Sequence, residues 1–244
     1  MTQQLRVART VGVAIIGTAL AISLAACSPA HAKPSSTPKP HETGIQTTNT
    51  PTATPSGAPV GDGDVSTGTG FTAVFDDTHH VGVAVPDSWT DTDGTGFVDA
   101  DGNDWVQVTA APSISDYNST WGNPGVEIAA TPFTGTITQA QADADITALL
   151  TQLSTSYKYD DQCTPDETTQ SYSDQVYTGY YSTWQKCGNS DTEALILTAY
   201  DNAGTHKVFL VASLVSDDDK NATLKSIIDS FQASFDDKAI APRG

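Results

Sequence analysis

The densest group of chemically active side chains is a run of aspartates between positions 91 and 104. Closely spaced carboxylates on tight turns are typical of Ca²⁺ sites, because Ca²⁺ is coordinated by several oxygen atoms. Compared with an EF-hand loop beginning at Asp91, however, the twelfth position is Gly102 where a glutamate is required, and a loop beginning at Asp99 has Asp104 where glycine is required. We predict no metal site and no cofactor, and keep a Ca²⁺-stabilised surface domain as the alternative. The two repeats are Asp91-x-Asp93-Gly94-x-Gly96 and Asp99-x-Asp101-Gly102-Asn103-Asp104.

No recognisable catalytic motif occurs elsewhere in the sequence. His79 and His80 follow Asp76 and Asp77, but adjacent residues on a strand point to opposite faces, so we interpret this segment as a solvated turn. The sequence contains no Gly-x-Ser-x-Gly, His-Glu-x-x-His or glycine-rich phosphate loop. We predict a non-enzymatic protein with no catalytic residues. The alternative is a hydrolase that combines the aspartate-rich loop with His79 or His206.

The densest aromatic cluster lies between positions 172 and 184 and contains four tyrosines and one tryptophan. On a strand, Tyr177 and Tyr181 share one face, whereas Tyr180 and Trp184 point to the other. We interpret both sets as core residues. The alternative is that one set is a platform for a protein partner or a glycan, since tyrosine and tryptophan are favoured where an apolar surface meets water.

The second half of the chain is strongly acidic. Positions 71–244 contain 26 acidic and 7 basic residues, a formal net charge of −19, compared with −18 for the whole chain. Such a surface repels nucleic acid and anionic lipid headgroups. The simplest interpretation is that the acidity keeps the domain soluble. The alternative is that it attracts a cationic partner or metal ions.

The N-terminal segment carries the features of a secretion signal. Arg6 and Arg9 precede an uncharged, mostly apolar run over 11–24, and the run ends in Leu24-Ala25-Ala26-Cys27. This motif resembles the lipobox of bacterial lipoproteins, which implies cleavage before Cys27 and lipidation of its thiol. The rival interpretation is an uncleaved membrane helix, disfavoured by the small residues and the absence of a basic cluster after it. We therefore expect a signal peptide over 1–26 and an extracytoplasmic, lipid-anchored protein of the cell membrane.

Residues 27–70 are predicted to form the lipidated N-terminus and a disordered tether. Proline, threonine, serine, glycine and alanine dominate this segment, and Ile45, Val60 and Val65 are its only large aliphatic residues. There is too little apolar surface to offset the entropy lost on ordering. The tether would hold the following domain away from the membrane.

Cys163 and Cys187 remain once Cys27 is assigned to the lipid anchor. In an oxidising extracytoplasmic compartment two such cysteines are expected to form a disulfide. Two free buried thiols or a partial metal site are the alternatives, although no histidine lies at zinc-ligand spacing from either cysteine.

Residues 71–237 have the length of one domain, with a C-terminal tail over 238–244. Alternating and apolar patterns predict two groups of strands with few helices, which indicates an α+β fold with helices packed on a largely antiparallel sheet. The predicted strands cover 71–75, 81–85, 105–111, 125–129, 175–185, 192–200 and 206–215, and the stretch 91–104 is predicted to be rich in turns.

Two longer helices are predicted from spacing and capping. Thr138 and Gln141 fit a capping box, and Ile146, Leu149, Leu150 and Leu153 follow with helical spacing. A second set with the same spacing contains Leu224, Ile227, Ile228 and Phe231, with Asp217, Asp218 and Asp219 suited to the helix N-terminus. A short helix is predicted over 113–121.

Several motifs together resemble an extracellular actinobacterial domain. They are Val85-Pro86-x-x-Trp89, Ala111-Pro112-x-Ile114, Trp121-x-x-Pro124-Gly125-Val126, Tyr177-x-Gly179-x-Tyr181-x-x-Trp184-x-x-Cys187 and Asp229-Ser230-Phe231. This domain occurs on lipoproteins or appended to secreted trypsin-like serine proteases, and is similar to the PsbP/Mog1 group of folds. The resemblance implies an α/β/α sandwich with a non-catalytic accessory or binding role in the cell envelope, toward an unidentified envelope protein or glycan.

Overall fold

The computed structural model describes residues 65–215, 220–236 and 240–243. The predicted signal peptide, Cys27, most of the tether and Asp217–Asp219 lie outside these ranges. Within them, no helix combines the length and the apolar composition needed to cross a bilayer.

Strands predominate over helices in the described ranges. The helices are α1 (Ile114–Tyr117), α2 (Gln139–Tyr157), α3 (Tyr159–Gln162) and α4 (Lys220–Ser230). The strands are β1 (Val65–Ser66), β2 (Phe71–Phe75), β3 (Val81–Pro86), β4 (Asp91–Asp93), β5 (Phe97–Val98), β6 (Asp104–Ala111), β7 (Gly125–Pro132), β8 (Thr164–Ser173), β9 (Tyr177–Gln185), β10 (Thr192–Asp201), β11 (His206–Val215), β12 (Gln232–Ala233) and β13 (Pro242–Arg243).

The main sheet has the strand order β4-β6-β7-β11-β10-β9-β8, and β5 also pairs with β6. All its pairs are antiparallel. The central strands are apolar on both faces: in β10, Leu195 and Leu197 join one core cluster, whereas Ala194 and Ile196 join another. A sheet buried on both faces requires a covering layer on each side.

Different layers cover the two faces. On one face, Val83 of β3 and Ile227 of α4 pack with Leu210 of the main sheet. On the other face, Leu150 of α2 and Tyr159 of α3 pack with Ile196. The predicted α+β class with a largely antiparallel sheet is confirmed. The hairpin β2–β3 does not join the main sheet, however, but forms a second sheet in the order β12-β3-β2 and shares its layer with α4.

Helix α2 begins where its local sequence predicts. The capping box at Thr138 and Gln141 is present, with the Thr138 N–H donating to Gln141 Oε1 at 3.0 Å. Of the predicted apolar face, Ile146, Leu150 and Leu153 are buried. The helix ends at Tyr157, and the next residue, Lys158, has the left-handed conformation typical of a helix C-terminus (φ 57°).

Both predicted domain boundaries need correction. The tether was expected to extend to residue 70, yet Val65 is fully buried and β1 pairs in parallel with β13. The tail beyond residue 237 was expected to lie outside the domain, yet Ile240 is 2% exposed and its N–H donates to the His79 carbonyl. The segments before β2 and after β12 complete the domain together, because Val65 and Ile240 bury their side chains in one small core cluster with Ala84.

Two assignments inside the domain also change. Strand β8 was not predicted, because it is a mostly exposed edge strand whose polar residues lack alternation and whose pairing with β9 is interrupted by register shifts. The stretch 91–104 contains β4 and β5, where only turns were predicted. Strand β4 has three residues and β5 has two, and both pair with β6.

Candidate functional site

Glu127 is the one charged residue of β7, and it lies between Thr109 of β6 and Val211 of β11. Its neighbours Val126 and Ile128 are fully buried in the core on the β3 side of the sheet. Strand alternation therefore directs Glu127 to the opposite face, which carries α2 and α3. The carboxylate is half-buried there.

Three tyrosines from three helices surround Glu127. The Tyr157 hydroxyl donates to Glu127 Oε2 at 2.7 Å. Since Lys158 reverses the chain between α2 and α3, the rings of Tyr157 and Tyr159 stack with centroids 5.6 Å apart. Tyr117, the last residue of α1, lies on Gly125: a Cβ atom at that glycine would be 2.5 Å from the tyrosine ring.

Trp121 and a disulfide pack in the same cluster as Tyr159. Trp121 packs against Tyr159 at 5.3 Å and donates from Nε1 to Gln162 Oε1 at 2.6 Å. A disulfide joins Cys163 to Cys187, which is the predicted pairing. It links the end of α3 to the segment after β9, so that Tyr159 is held in place. We call Tyr117, Trp121, Glu127, Tyr157 and Tyr159 the Glu127 site.

Among the described residues, no positive group is paired with the carboxylate of the Glu127 site. Burial raises the pKa of Glu127 above 4.5, and the hydrogen bond from Tyr157 offsets this only in part. Burial is also the main cause that raises the pKa of Tyr117, Tyr157 and Tyr159, and the nearby Glu127 charge adds to it. None of the ion pairs in the described ranges involves Glu127. Such a site can accept hydrogen bonds or attract a cation.

Asp91, Asp93 and Asp99 accept hydrogen bonds from N–H groups in and next to the 91–104 loop. Asp91 accepts the Ile114 N–H at 2.8 Å and Asp93 accepts the Thr95 N–H at 3.0 Å. Asp99 accepts four hydrogen bonds from Asp101, Asn103 and Trp105. Burial alone would raise the pKa of Asp99, but these bonds outweigh it and lower the pKa from 3.8 to about 2. In the part of the chain that the structure describes, no three acidic, histidine or cysteine side chains are grouped to hold a metal. This arrangement gives no support to the Ca²⁺ alternative.

The turn at 76–80 was predicted to be solvated, and Asp77, Thr78 and His79 are exposed as predicted, whereas His80 is half-buried and Asp76 is buried. Asp76 is buried and accepts the N–H groups of Thr78, His80 and Val81 at 2.6–2.8 Å. His80 Nδ1 lies 2.8 Å from the Ser234 carbonyl oxygen. His79 is exposed, and its Nδ1 lies 3.3 Å from the Ile240 carbonyl oxygen. The turn is ordered because it anchors the C-terminal segment.

His206, the other histidine of the hydrolase alternative, is buried at the start of β11. Its Nδ1 lies 3.5 Å from Asp201 Oδ1, its Nε2 has no hydrogen-bond partner in the described ranges, and burial lowers its pKa below 6.5. His79 and His206 thus have separate structural contacts, and neither is paired with the 91–104 loop. The geometry gives no support to the hydrolase alternative.

Strand β9 places the aromatic cluster as predicted, with Tyr177 and Tyr181 on one face and Tyr180 and Trp184 on the other. Tyr177 and Trp184 are buried, and each pair packs into a core, so the platform interpretation is not supported for this strand. The Glu127 site was missed because its residues come from separated segments. One signal was present in the sequence: a single glutamate in the otherwise uncharged strand Gly125–Pro132.

An open concavity of about 240 Å³ lies at the N-terminal end of α2. Its lining includes Tyr200, Asn202 and Thr178. The Tyr200 hydroxyl donates to Asp143 at 3.2 Å and the Thr178 hydroxyl donates to Asn202 at 2.8 Å. These polar groups are paired within the fold, so the Glu127 site is the stronger candidate.

Comparison with known protein families and with curated proteins finds no match for the sequence. Among solved structures, the chain is similar to the PsbP protein CyanoP of the cyanobacterium Synechocystis, with 11% identity, a TM-score of 0.39, and coverage of 73% of this chain and 98% of that protein. It is also similar to a Bacteroides thetaiotaomicron protein, with 13% identity and a TM-score of 0.35; 69% of this chain matches, spanning 50% of that protein. The α+β assignment rests on the strand pairing of this chain.

Proposed function

We propose that this chain is a lipid-anchored, extracytoplasmic protein whose acidic domain is a non-enzymatic binding module of the cell envelope, with the Glu127 site as its binding site. The anchor is the lipobox-like motif ending at Cys27, and the tether lets the domain reach partners away from the membrane. The binding site rests on one observation: a half-buried carboxylate lined by aromatic rings and lacking an ionic partner in the described ranges. Aromatic side chains and uncompensated charges are characteristic of recognition sites.

The anchor is tested by mass spectrometry of the N-terminus of the full chain, produced with and without globomycin, and of the Cys27→Ser variant. We expect a diacylglyceryl-modified Cys27 and membrane retention, with Cys27→Ser released from the membrane. An unprocessed, unmodified Cys27 would overturn the anchor.

The binding role is tested by crosslinking on intact native cells, followed by mass spectrometry. The variants are Glu127→Gln and a matched control, Glu167→Gln, because Glu167 also accepts a tyrosine hydroxyl, from Tyr181 at 3.0 Å, but lies on edge strand β8. We expect specific adducts with the wild type and the control that are lost with Glu127→Gln. Equal adducts in all three would refute the site, and the absence of specific adducts would refute the binding function.

A further inference from the structure

We infer that the Glu127 site binds an organic ammonium cation, a primary or quaternary amine, an inference that rests on the proposed binding role of this site. Three features carry it: the unpaired carboxylate, the rings around it and the charge of the domain. The site would recognise an envelope partner through an ammonium group on that partner.

The charge of the site selects a cation. Glu127 is half-buried, and its hydrogen bond comes from the neutral Tyr157 hydroxyl rather than from a lysine or an arginine. A desolvated carboxylate is stabilised when a positive charge comes within a few ångströms of it. Positions 71–244, with a net charge of −19, attract cations and repel anions at longer range.

The rings select an organic cation. Tyr117, Tyr157 and Tyr159 are partly or fully buried near one carboxylate, Trp121 packs on Tyr159, and the described contacts bring no second carboxylate to Glu127. Ca²⁺ and Mg²⁺ require several oxygen ligands, whereas ammonium groups are attracted to the faces of aromatic rings. A quaternary ammonium ion needs no hydrogen-bond acceptor, so one carboxylate and several rings are sufficient for it.

Binding should depend on pH. Protonation of Glu127 removes the charge that attracts the ligand. Because burial raises the pKa of this carboxyl, a proton competes with the cation for Glu127. The groups that face it from the packed helices are Tyr117, Tyr157 and Tyr159, which remain neutral because burial raises the pKa of each phenol. The flanking strand residues Thr109 and Val211 carry no charge. Affinity should therefore fall as the pH is lowered through the raised pKa of Glu127.

The test is a titration of the full chain with choline and with ethanolamine. Binding is monitored by calorimetry and by the NMR chemical shifts of the Trp121 indole and the Glu127 amide. The neutral control ligand is 3,3-dimethylbutan-1-ol, which has the shape of choline without its charge. We expect saturable binding of at least one amine, weakened about tenfold or more by Glu127→Gln and by loss of the ligand charge, and unchanged in Glu167→Gln. Far-UV circular dichroism checks that each variant is folded.

Equal binding of choline and its neutral analogue, or equal binding to wild type and Glu127→Gln, would overturn the inference. Binding of neutral sugars without amine binding would do so as well, and would indicate a glycan site. If crosslinked adducts are lost with Glu127→Gln while no amine binds, the proposed function stands and the cation inference fails. If neither result is obtained, both fail.

Discussion

Replacing Cys163 and Cys187 together by alanine is expected to lower the free energy of unfolding by about 3.5 kcal/mol. The two residues are 24 positions apart and are joined by the disulfide that links the end of α3 to the segment after β9. In the unfolded chain the bond closes a loop and restricts its conformations. Removing it increases the entropy of the unfolded state and so favours unfolding.

The magnitude follows from the length of the closed loop. For a loop of this length, the chain-entropy relation gives about 12 cal/mol/K, or about 3.5 kcal/mol at 25 °C. The closed loop contains β8 and β9. Cys187 is fully buried in the same core cluster as Tyr159 and Trp184. Its truncation to alanine adds a smaller loss of packing.

The assay is urea denaturation of the full chain under non-reducing conditions, followed by far-UV circular dichroism. With a slope of about 2 kcal/mol/M, the midpoint should fall by roughly 1.7 M. The wild type in a reducing agent is the matched control, and its midpoint should approach that of the double variant. A loss below about 1 kcal/mol would refute the argument from loop entropy.

Three further predictions concern packing and pH. Gly125→Ala should cost about 1–3 kcal/mol, because the new Cβ would lie 2.5 Å from the tyrosine ring on it, whereas Gly122→Ala, with no atom within 4 Å, should change stability little in the same urea assay. Because burial lowers the pKa of His206, the buried neutral imidazole stabilises the fold above pH 6.5, and this contribution is lost as the pH falls and the imidazole is protonated. His206→Gln should therefore show a smaller drop in thermal midpoint between pH 7 and 5 than the wild type. The lowered pKa of Asp99 stabilises the fold above pH 3.8, so Asp99→Asn should cost about 1 kcal/mol at pH 7, less at pH 2.5, and more than Asp101→Asn at pH 7. Equal behaviour of either matched pair, or an unchanged pH profile for His206→Gln, would contradict the corresponding prediction.

Most elements of the fold were predictable because their signals are local. The capping box at Thr138, the helical spacing that follows it and the apolar strands around Ile196 and Leu210 are all present. The pairing of the two cysteines could also be predicted, from their number and the expected compartment. Edge strand β8 could not, because an exposed strand carries no hydrophobic alternation.

The candidate site depended on information that is not local. Tyr117, Glu127 and Tyr157 lie on α1, β7 and α2, and nothing in their spacing links them. Asp76, Asp99 and His206 attracted attention in the sequence, and the structure shows each of them held by backbone or side-chain groups nearby.

The sequence by itself determined the acidity, the α+β class and the elements of the core, because composition and periodicity act within short segments. It also supplies the lipid-anchor prediction through Cys27. Tertiary structure decided the boundaries, by pairing Val65 with the far end of the chain, and the site, by placing tyrosines from separate helices around Glu127. Burial and charge compensation depend on neighbours in space, and those neighbours exist only once the chain has folded.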